Sequence, residues 1–565
     1  MLALRLVGLT LISSIVVLFA CTPSQPATKP TDVPKAAESS KPVEASKPAA
    51  TAQPREQLFR VASTNPPVLD PGLITDAISI DVVNNIFEGL VAFDDKGTIS
   101  GVHAERWEIS PDQTTYTFTL RQGPTWSDGQ PVTAKDYEFA WKRNIDPKTA
   151  SDYATTLYPV KNAVKINTDG MEPSELGVKA TDDRTLVVTL EEPAAYFLRL
   201  ASTWTLFPLR EDIIAKHGEK WVDPDKIVTN GPFLLREWKQ DAQLTLERND
   251  NYWGPKPTLQ RAVYRIFPEG GSEQALAAYE AGEIDSLGTT SFQIPAAQIG
   301  RIQNDQKLKA ELKEYAESGT MFITVNNRLP HLKDPRVRMA LGAAIDRNLV
   351  LTQVLRRSGT PAYTLQPDGI VGRKPDIWQK EDVARAKQLL ADAGFPEGRG
   401  FPDLTFTYNT SEDWRLLGEH LQQRWKDTLG INVKLDNMEF ATFLKWRRGD
   451  EWKSLGHTFR GGWFSDYEDP NNWYNVLWDS HEDPGMFNTG WADPEYDQLV
   501  KQAQSELDRA KREQLYGQAE EVLARGYPAI PVFHYGGRTL VKSYVTGFAP
   551  TRVLGLVPLR AIAIN

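Results

Sequence analysis

The stretch Arg460-Gly-Gly-Trp-Phe-Ser-Asp-Tyr-Glu-Asp-Pro470 brings an arginine, a tryptophan and three carboxylates close together. Its two glycines allow one backbone to approach another closely. Asp466 stands between aromatic residues, and a carboxylate buried among aromatics costs free energy unless a cation or several donors meet it. The stretch therefore indicates a charged site inside the fold. An acidic loop with an Asx-type turn ahead of Pro470 is the alternative at this point.

Length and composition describe a large, acidic, globular chain. At 565 residues it is too long for one hydrophobic core, so about two to four domains are expected. Hydrophobic residues make up 41% and charged residues 24%, as in soluble globular proteins. The 16 tryptophans and 18 tyrosines favour an aromatic-lined cleft, although cores also use such residues. A net charge of −10 argues against nucleic acid as a partner.

The N-terminus has the pattern of an export signal. A short positive segment, residues 1–5, precedes an apolar run, residues 6–20, that is short for a membrane span. Cys21 is the single cysteine of the chain, so no internal disulfide forms. The tetrapeptide Leu18-Phe-Ala-Cys21 resembles the bacterial lipobox, which implies that residues 1–20 are a lipoprotein signal peptide and that the Cys21 thiol is lipidated. An ordinary signal peptide, or a signal anchor with an incidental cysteine, is the alternative.

Residues 21–57 predict a lipidated cysteine followed by a disordered tether. The segment is rich in Pro, Ala, Ser, Thr and Lys and has almost no large apolar residues, so it cannot bury enough surface to fold. Such a chain is exported and held at the outer face of the cytoplasmic membrane or in the periplasm. The sequence does not decide between a monoderm and a diderm envelope.

The body alternates strands with helices, which predicts an α/β fold. Strands are expected at residues 58–62, 404–408, 431–435 and 529–533, and most clearly at 115–120, where apolar residues and threonines alternate. A helix is expected within residues 74–90. Thr133 with Asp136 predicts a helix N-cap, and so does Ser272 for the helix that ends near Gly282.

Several motifs, in order along the chain, resemble the family 5 bacterial extracellular solute-binding proteins, the receptors of peptide-type ABC importers. They begin with residues 104–129 and Val132-Thr-Ala-Lys-Asp-Tyr-Glu-Phe-Ala-Trp141. The further matches are Ile227-Val-Thr-Asn-Gly-Pro-Phe233, Asn251-Tyr-Trp253, Tyr279-Glu-Ala-Gly-Glu-Ile-Asp285, Val325-Asn-Asn327, Asp334-Pro-Arg-Val-Arg338, Ala344-Ile-Asp-Arg347, residues 384–394 and Asp466-Tyr-Glu-Asp-Pro470. The resemblance covers the chain from Leu58 to the C-terminus.

The resemblance implies a two-lobed, periplasmic-binding-protein-like fold of type II with an additional third domain, and a ligand enclosed between the lobes. Lobe I would be discontinuous, at residues 58–87, 209–317 and 537–565. The extra domain would be residues 88–208 and lobe II residues 318–536.

The resemblance also implies which residues hold a peptide. Asp466 falls where the family binds the α-ammonium of the ligand. The other residues that match cleft positions are Trp463, Phe464, Ser465, Arg460, Arg447, Tyr153, Tyr535, Trp414, Phe440 and the strand-like segment Thr75, Asp76 and Ala77. Phe464 and Ser465 are expected to offer main-chain groups, and the arginines to meet carboxylates directly or through water.

Four features set this chain apart from the family pattern. Thr75 stands where an acidic residue is expected, Trp414 replaces a histidine and Phe440 replaces a tryptophan. Extra residues at 449–456 make the match of Arg447 to the family's cleft arginine less secure. Arg356 or Arg357 is the candidate for the cation that meets the C-terminal carboxylate of the peptide. Peptide length and sequence preference therefore do not transfer.

Other functions weigh less. The chain has no His-Glu-x-x-His and no Gly-x-Ser-x-Gly motif, so an enzyme is not expected. The same fold with an oligosaccharide, opine or metal-chelate ligand stays open, as does a peptide sensor without transport. Asp466, Glu468 and Asp469 are a weak candidate for a calcium site. We expect a monomer without cofactor or resident metal, whose partners are short peptides and an ABC permease with its ATPase.

Overall fold

The computed structural model describes residues 55–93, 98–268, 270–289, 292–481, 487 and 489–565. The predicted signal peptide, Cys21 and nearly all of the predicted tether lie outside these residues. Within these ranges, no helix is both long enough and apolar enough to cross a membrane.

Nineteen strands are present in the described part of the chain. They are β1 (Leu58–Ser63), β2 (Val91–Phe93), β3 (Ile99–Gly101), β4 (Ala104–Ile109), β5 (Thr115–Leu120), β6 (Val178–Asp182), β7 (Thr185–Thr189), β8 (Phe233–Lys239), β9 (Gln243–Arg248), β10 (Arg261–Ile266), β11 (Ser286–Leu287), β12 (Leu312–Val325), β13 (Ser358–Pro361), β14 (Leu404–Asn409), β15 (Val433–Met438), β16 (Thr458–Phe464), β17 (Ala529–Val541), β18 (Val545–Thr546) and β19 (Ala563–Ile564).

The α-helices of the same ranges lie mostly between the strands. They are α1 (Ala77–Ile86), α2 (Ala134–Ile145), α3 (Ala163–Asp169), α4 (Phe197–Leu200), α5 (Glu211–His217), α6 (Ser272–Glu280), α7 (Ile299–Asn304), α8 (Gln306–Glu311), α9 (Pro330–Lys333), α10 (Pro335–Ala343), α11 (Arg347–Leu349), α12 (Val383–Asp392), α13 (Glu412–Leu429), α14 (Phe440–Arg448), α15 (Asp450–Leu455), α16 (Asn471–Trp478), α17 (Pro494–Ser505) and α18 (Arg509–Gly526).

The main sheet runs through both halves of the molecule in the order β15-β14-β16-β12-β17-β11-β1-β10-β9-β8, with β13 added to β17. A separate antiparallel sheet, β4-β5-β7-β6, belongs to the third domain. In β5 the burial alternates residue by residue, because Tyr116, Phe118 and Leu120 face the core and the threonines do not. The prediction of a half-buried strand at residues 115–120 is confirmed.

The two long strands β12 and β17 connect the two lobes. Residues 312–316 pair with residues 536–540, next to β11, whereas residues 320–324 pair with residues 529–534, next to β16. The ladder is interrupted between Ala316 and Thr320. This interruption adjoins the predicted lobe boundaries at 317/318 and 536/537, which stay predictions.

Buried side chains form two large clusters that correspond to the two halves. One gathers residues 59–264 with residues 541–564, and the other gathers residues 321–533. Tyr467 is an exception, because its sequence position lies within the range of the second cluster and its side chain packs into the first. The observed architecture is the two-lobed α/β fold with an additional domain that the resemblance implied.

Local capping signals were predicted with mixed success. Thr133 and Asp136 form the expected capping box at the beginning of α2. Helix α6 begins at Ser272 itself, so its N-cap is Gly271, and the prediction that Ser272 caps the helix was wrong. The helix expected within residues 74–90 is shorter, because the Asp76 carboxylate caps its beginning and Phe87 returns to extended backbone.

Candidate functional site

Asp466 lies in the loop between β16 and α16, and Asn472 of α16 fixes its position. The Asp466 main-chain N–H donates to Asn472 Oδ1 at 3.0 Å, and Asn472 Nδ2 donates to Asp466 Oδ2 at 3.2 Å. Because Asn472 is 1% exposed and sits in the first turn of its helix, it holds the carboxylate in one orientation.

The second oxygen of the same carboxylate faces the third domain. The Tyr153 hydroxyl donates to Asp466 Oδ1 at 3.2 Å. Burial raises the pKa of Asp466 to about 6, and only the hydrogen bonds from Asn472 and Tyr153 oppose this shift. Among the described residues, no cation contributes to it. The carboxylate is therefore held by neutral donors and is suited to a cation supplied from outside the protein.

Trp463 is oriented by the same asparagine. Its Nε1 donates to Asn472 Oδ1 at 3.1 Å, and its ring meets Phe487 edge-on with ring centroids 6.5 Å apart. Sequence reasoning identified Trp463 and Asp466 but missed Asn472. The available signal was a polar Asn471-Asn472 pair that directly follows Pro470 in a run of apolar and aromatic residues.

Ser465 faces the interior of lobe II. Its main-chain N–H donates to the Ser318 carbonyl at 2.8 Å, its hydroxyl lies 2.7 Å from that of Ser318, and Trp473 Nε1 donates to it at 2.7 Å. Its main-chain N–H is thus occupied within the protein, and Ser465 ties β16 to β12. The prediction that Ser465 offers main-chain groups to a ligand is corrected for the donor, and for its carbonyl oxygen it stays a prediction.

Phe464 and Tyr535 form one aromatic surface at the end of β16. Their rings are stacked with centroids 4.5 Å apart, and they cover Gly319 of β12. A Cβ at Gly319 would lie 2.5 Å from the Phe464 ring, so this glycine permits the stack. Burial raises the pKa of Tyr535 above its usual value, which keeps the phenol neutral.

The two candidate arginines lie over aromatic rings. Arg460 is 5.7 Å from the ring centroid of Trp414 and 5.0 Å from that of Phe443, and Arg447 is 5.4 Å from that of Phe487. Burial lowers the pKa of Arg460. The structure thus brings Arg460 and Trp414 together. Phe440 begins helix α14, and its side chain lies outside the described part of the structure.

The segment at residues 75–77 differs from the strand-like expectation. Thr75 is exposed, Asp76 caps helix α1 through bonds from the N–H groups of Ile78 and Ser79, and Ala77 is the first helical residue. Of these residues, Asp76 has extended backbone and Ala77 is helical. Asp76, which had no predicted role beyond its place in the segment, holds the beginning of the helix.

Strand β16 presents a partly unpaired edge beside Asp466. On one side it pairs with β12 along its whole length, but on the other side β14 pairs only with Thr458 and Phe459. No described strand pairs with that second edge between Gly461 and Phe464. An edge of this kind suits an added extended segment.

Arg357 and Asp413 form an ion pair on the same side as Tyr535. Arg357 Nε donates to Asp413 Oδ2 at 2.8 Å, and both residues influence the pKa of Tyr535. Arg356 has a left-handed backbone, with φ of 53°, and does not contribute to the shift in the pKa of Tyr535. Of the two arginines proposed to meet the C-terminal carboxylate, Arg357 is thus the one near the aromatic surface. Asp413 was missed, because its role depends on a contact across 56 positions.

Two other features do not belong to this group. Asp469 is held by Arg512 through bonds of 2.8 and 2.6 Å, so Asp466, Glu468 and Asp469 do not converge as a calcium site would require. A polar groove of about 560 Å³ lies along β8 and β9, lined among others by Arg236, Glu247 and Asn251, and none of its lining residues belongs to the Asp466 group.

Comparison with known proteins gives a consistent result. Residues 98–485 match the family model described as bacterial extracellular solute-binding proteins, family 5 Middle. The probable deoxycholate-binding periplasmic protein YgiS of Escherichia coli (strain K12) is 36% identical over 87% of this chain and 91% of its own length. The oligopeptide-binding protein OppA of Bacillus subtilis (strain 168) is 32% identical over 84% of this chain and 86% of its own.

A solved structure agrees with these matches. The unliganded open form of the periplasmic murein tripeptide-binding protein MppA superposes with a TM-score of 0.76 at 30% identity, covering 90% of this chain and 97% of that one.

Proposed function

The chain belongs to the bacterial extracellular solute-binding proteins of family 5, and from that membership we propose that it captures short peptides in the cleft between its lobes and delivers them to an ABC importer. The family consists of receptors, and the protein is exported. The observation that carries the proposal is the Asp466 carboxylate, which is partly buried with no cation acting on it among the described residues, beside the edge of β16 that no described strand covers between Gly461 and Phe464.

A peptide of unspecified sequence offers only three constant features: an α-ammonium, a backbone ladder and an α-carboxylate. Asp466 suits the ammonium, because the incoming charge compensates a carboxylate that burial destabilises. The edge of β16 between Gly461 and Phe464 suits the backbone. Arg460, Arg447 and Arg357 are the candidate cations and suit the carboxylate, directly or through water.

The cross-cleft contact indicates how binding is coupled to closure. By the predicted domain boundaries, Tyr153 belongs to the extra domain and Asp466 to lobe II, and on that assignment their hydrogen bond spans the cleft. A ligand ammonium placed beside both groups binds the closed state better than the open one. Since a ligand shifts a conformational equilibrium only through its different affinities for the two states, this preference drives closure. The closed form then docks on the permease, and no catalytic step is involved.

Lipid anchoring is part of the proposal. The Leu18-Phe-Ala-Cys21 tetrapeptide supports a diacylglyceryl group on Cys21, and the Pro- and Ala-rich segment that follows gives the receptor the reach to meet a permease. The receptor acts as a monomer at the outer face of the membrane, with peptides, the permease and its ATPase as partners.

A second candidate ligand is an amphipathic carboxylate, because one relative is named for deoxycholate binding. Arg460 and Arg447 lie against aromatic rings and would suit an anion with a large apolar body. Such a ligand leaves the buried Asp466 without a partner, which disfavours it relative to a peptide.

The test is calorimetric titration of the purified protein, after removal of any co-purified ligand, with tripeptides and with their N-acetylated forms. We expect acetylation to weaken binding by about 100-fold in the wild type, because it removes the charge that pairs with Asp466. Asp466→Asn should weaken the free peptides and abolish the difference, while Glu468→Gln, in the same loop, should not. Tight binding of deoxycholate with no binding of any peptide would overturn the proposal.

A further inference from the structure

A second carboxylate, that of Glu317, adjoins Tyr535 where the β12–β17 ladder is interrupted. Ala316 of β12 pairs with Gly536 of β17, and the interruption begins directly after that pair. Glu317 and Tyr535 are therefore the residues next to the last regular pair on the two strands. Tyr535 also pairs with Gly359 of β13, and Arg357 directly precedes that strand. Glu317 and Arg357 both influence the pKa of Tyr535, in agreement with that placement.

Glu317 is buried without a matching charge. Glu317 is only 8% exposed, and its Oε1 atom has no hydrogen-bond donor in the described part of the structure. Burial raises its pKa, opposed by a hydrogen bond from the Tyr315 side chain to the carboxylate and by the charge of Arg357. Arg357 does not reach it as an ion pair, since its guanidinium is bonded to Asp413 at 2.7 Å. A buried polar atom left without a partner is costly and rare in native proteins.

We propose that Glu317 receives a second positive charge of the ligand, so that the receptor prefers peptides with a lysine or arginine side chain. The inference rests on the proposed function, because it assigns a side-chain subsite within the peptide cleft. A ligand ammonium or guanidinium gives Glu317 Oε1 its missing donor together with a positive charge. A neutral side chain leaves that oxygen without a donor, so the site discriminates against it.

Three tripeptides that carry one lysine and two alanines test this inference, each compared with a twin in which norleucine replaces lysine. Norleucine keeps the length of the side chain and removes its charge. Calorimetry at pH 7.5 should show that at one position lysine binds about tenfold or more tighter than norleucine, as expected for a hydrogen bond to a charged group. Glu317→Gln should remove that preference and leave the affinity for trialanine within about twofold.

Glu314→Gln is the matched control. Glu314 lies on the same strand, but it is exposed and paired with Arg538, so its loss should leave the lysine preference unchanged. Equal affinities for lysine and norleucine at all three positions would overturn the inference while leaving the peptide receptor intact. Loss of trialanine binding in Glu317→Gln would show that Glu317 is structural and would also overturn it. Failure of the wild type to bind trialanine or any lysine tripeptide would overturn the proposed function itself.

Discussion

At the scale of single residues, the Asp466 carboxylate lowers the stability of the ligand-free protein and is suited to bind a cationic group of the ligand. Its pKa in the folded protein is about 6, above the ordinary value of 3.8, because burial disfavours the charged form. The ionised carboxylate therefore costs the ligand-free fold free energy above pH 6. That cost shrinks as pH falls from 6 to 3.8 and is absent below 3.8, where the carboxyl is protonated in both the folded and unfolded states.

We expect Asp466→Asn to stabilise the ligand-free protein at pH 7.5 by about 1–3 kcal/mol, from the shift in pKa. The asparagine can accept from Asn472 and donate to the Tyr153 hydroxyl, so both contacts persist. The gain should shrink markedly by pH 4.5. Urea denaturation of wild type and variant at the two pH values measures it. An equal difference in the free energy of unfolding at both pH values would show that the carboxylate is not strained.

At the scale of elements, β16 combines a paired edge and an unpaired edge. Its pairing with β12 is reinforced by the Ser318–Ser465 contact, which keeps the strand rigid up to the loop that carries Asp466. The other edge ends its pairing at Phe459. A rigid strand with one open edge suits an extended ligand, because little of the protein has to become ordered on binding.

A backbone N-methyl group on the ligand tests this role of the edge. Methylation of one amide removes a donor and prevents strand pairing at that position, so the affinity of a tripeptide should fall by about tenfold or more. The matched ligand carries the same extra methyl on a side chain, as aminobutyrate in place of alanine, and should bind almost as alanine does. The Kd values of the N-methylated peptide and of the aminobutyrate peptide, both measured by calorimetry, give the comparison. Equal losses from the two modifications would indicate a steric effect and no main-chain pairing.

Sequence alone predicted the elements whose cause is local. The alternation in β5 and the Thr133 capping box are set by neighbouring residues, and the family motif directed attention to Asp466. The orientation of Ser465 and the tie from Asn472 were not predictable, because they depend on which buried donors meet after folding. The subsite at Glu317 depends on the register of two strands that are more than 200 positions apart in sequence.

At the scale of the whole molecule, the long strands β12 and β17 join the two halves of the main sheet. The β12–β17 ladder is interrupted near Glu317, and β13 adds to β17 there, so Glu317 and Tyr535 lie where the two halves meet. On the proposed function, closure of the lobes and contact with the ligand are parts of one movement. A change that distorts these strands should therefore affect stability and affinity together.

Gly359→Ala is the substitution that tests this coupling. Gly359 has φ of 135°, and a Cβ there would lie 2.1 Å from the His534 carbonyl oxygen, so an alanine must displace backbone. We expect a loss of about 2 kcal/mol or more in the free energy of unfolding, from strain and overpacking. Because Gly359 pairs with Tyr535, the tripeptide affinity should fall as well.

Gly300→Ala is the control for this variant. Apart from its chain neighbours and the backbone of its own helix α7, nothing lies within 4 Å of a Cβ at Gly300, so alanine should be neutral or slightly stabilising there and should leave Kd unchanged. Urea denaturation and calorimetry of both variants give the comparison. Gly359→Ala could instead lower the stability and leave the tripeptide affinity at the wild-type value. That result would show that the strand junction at Gly359 does not contribute to binding. Losses of both stability and tripeptide affinity in Gly359→Ala would link the strand pairing to binding, because the pairing of β13 with β17 also positions Tyr535.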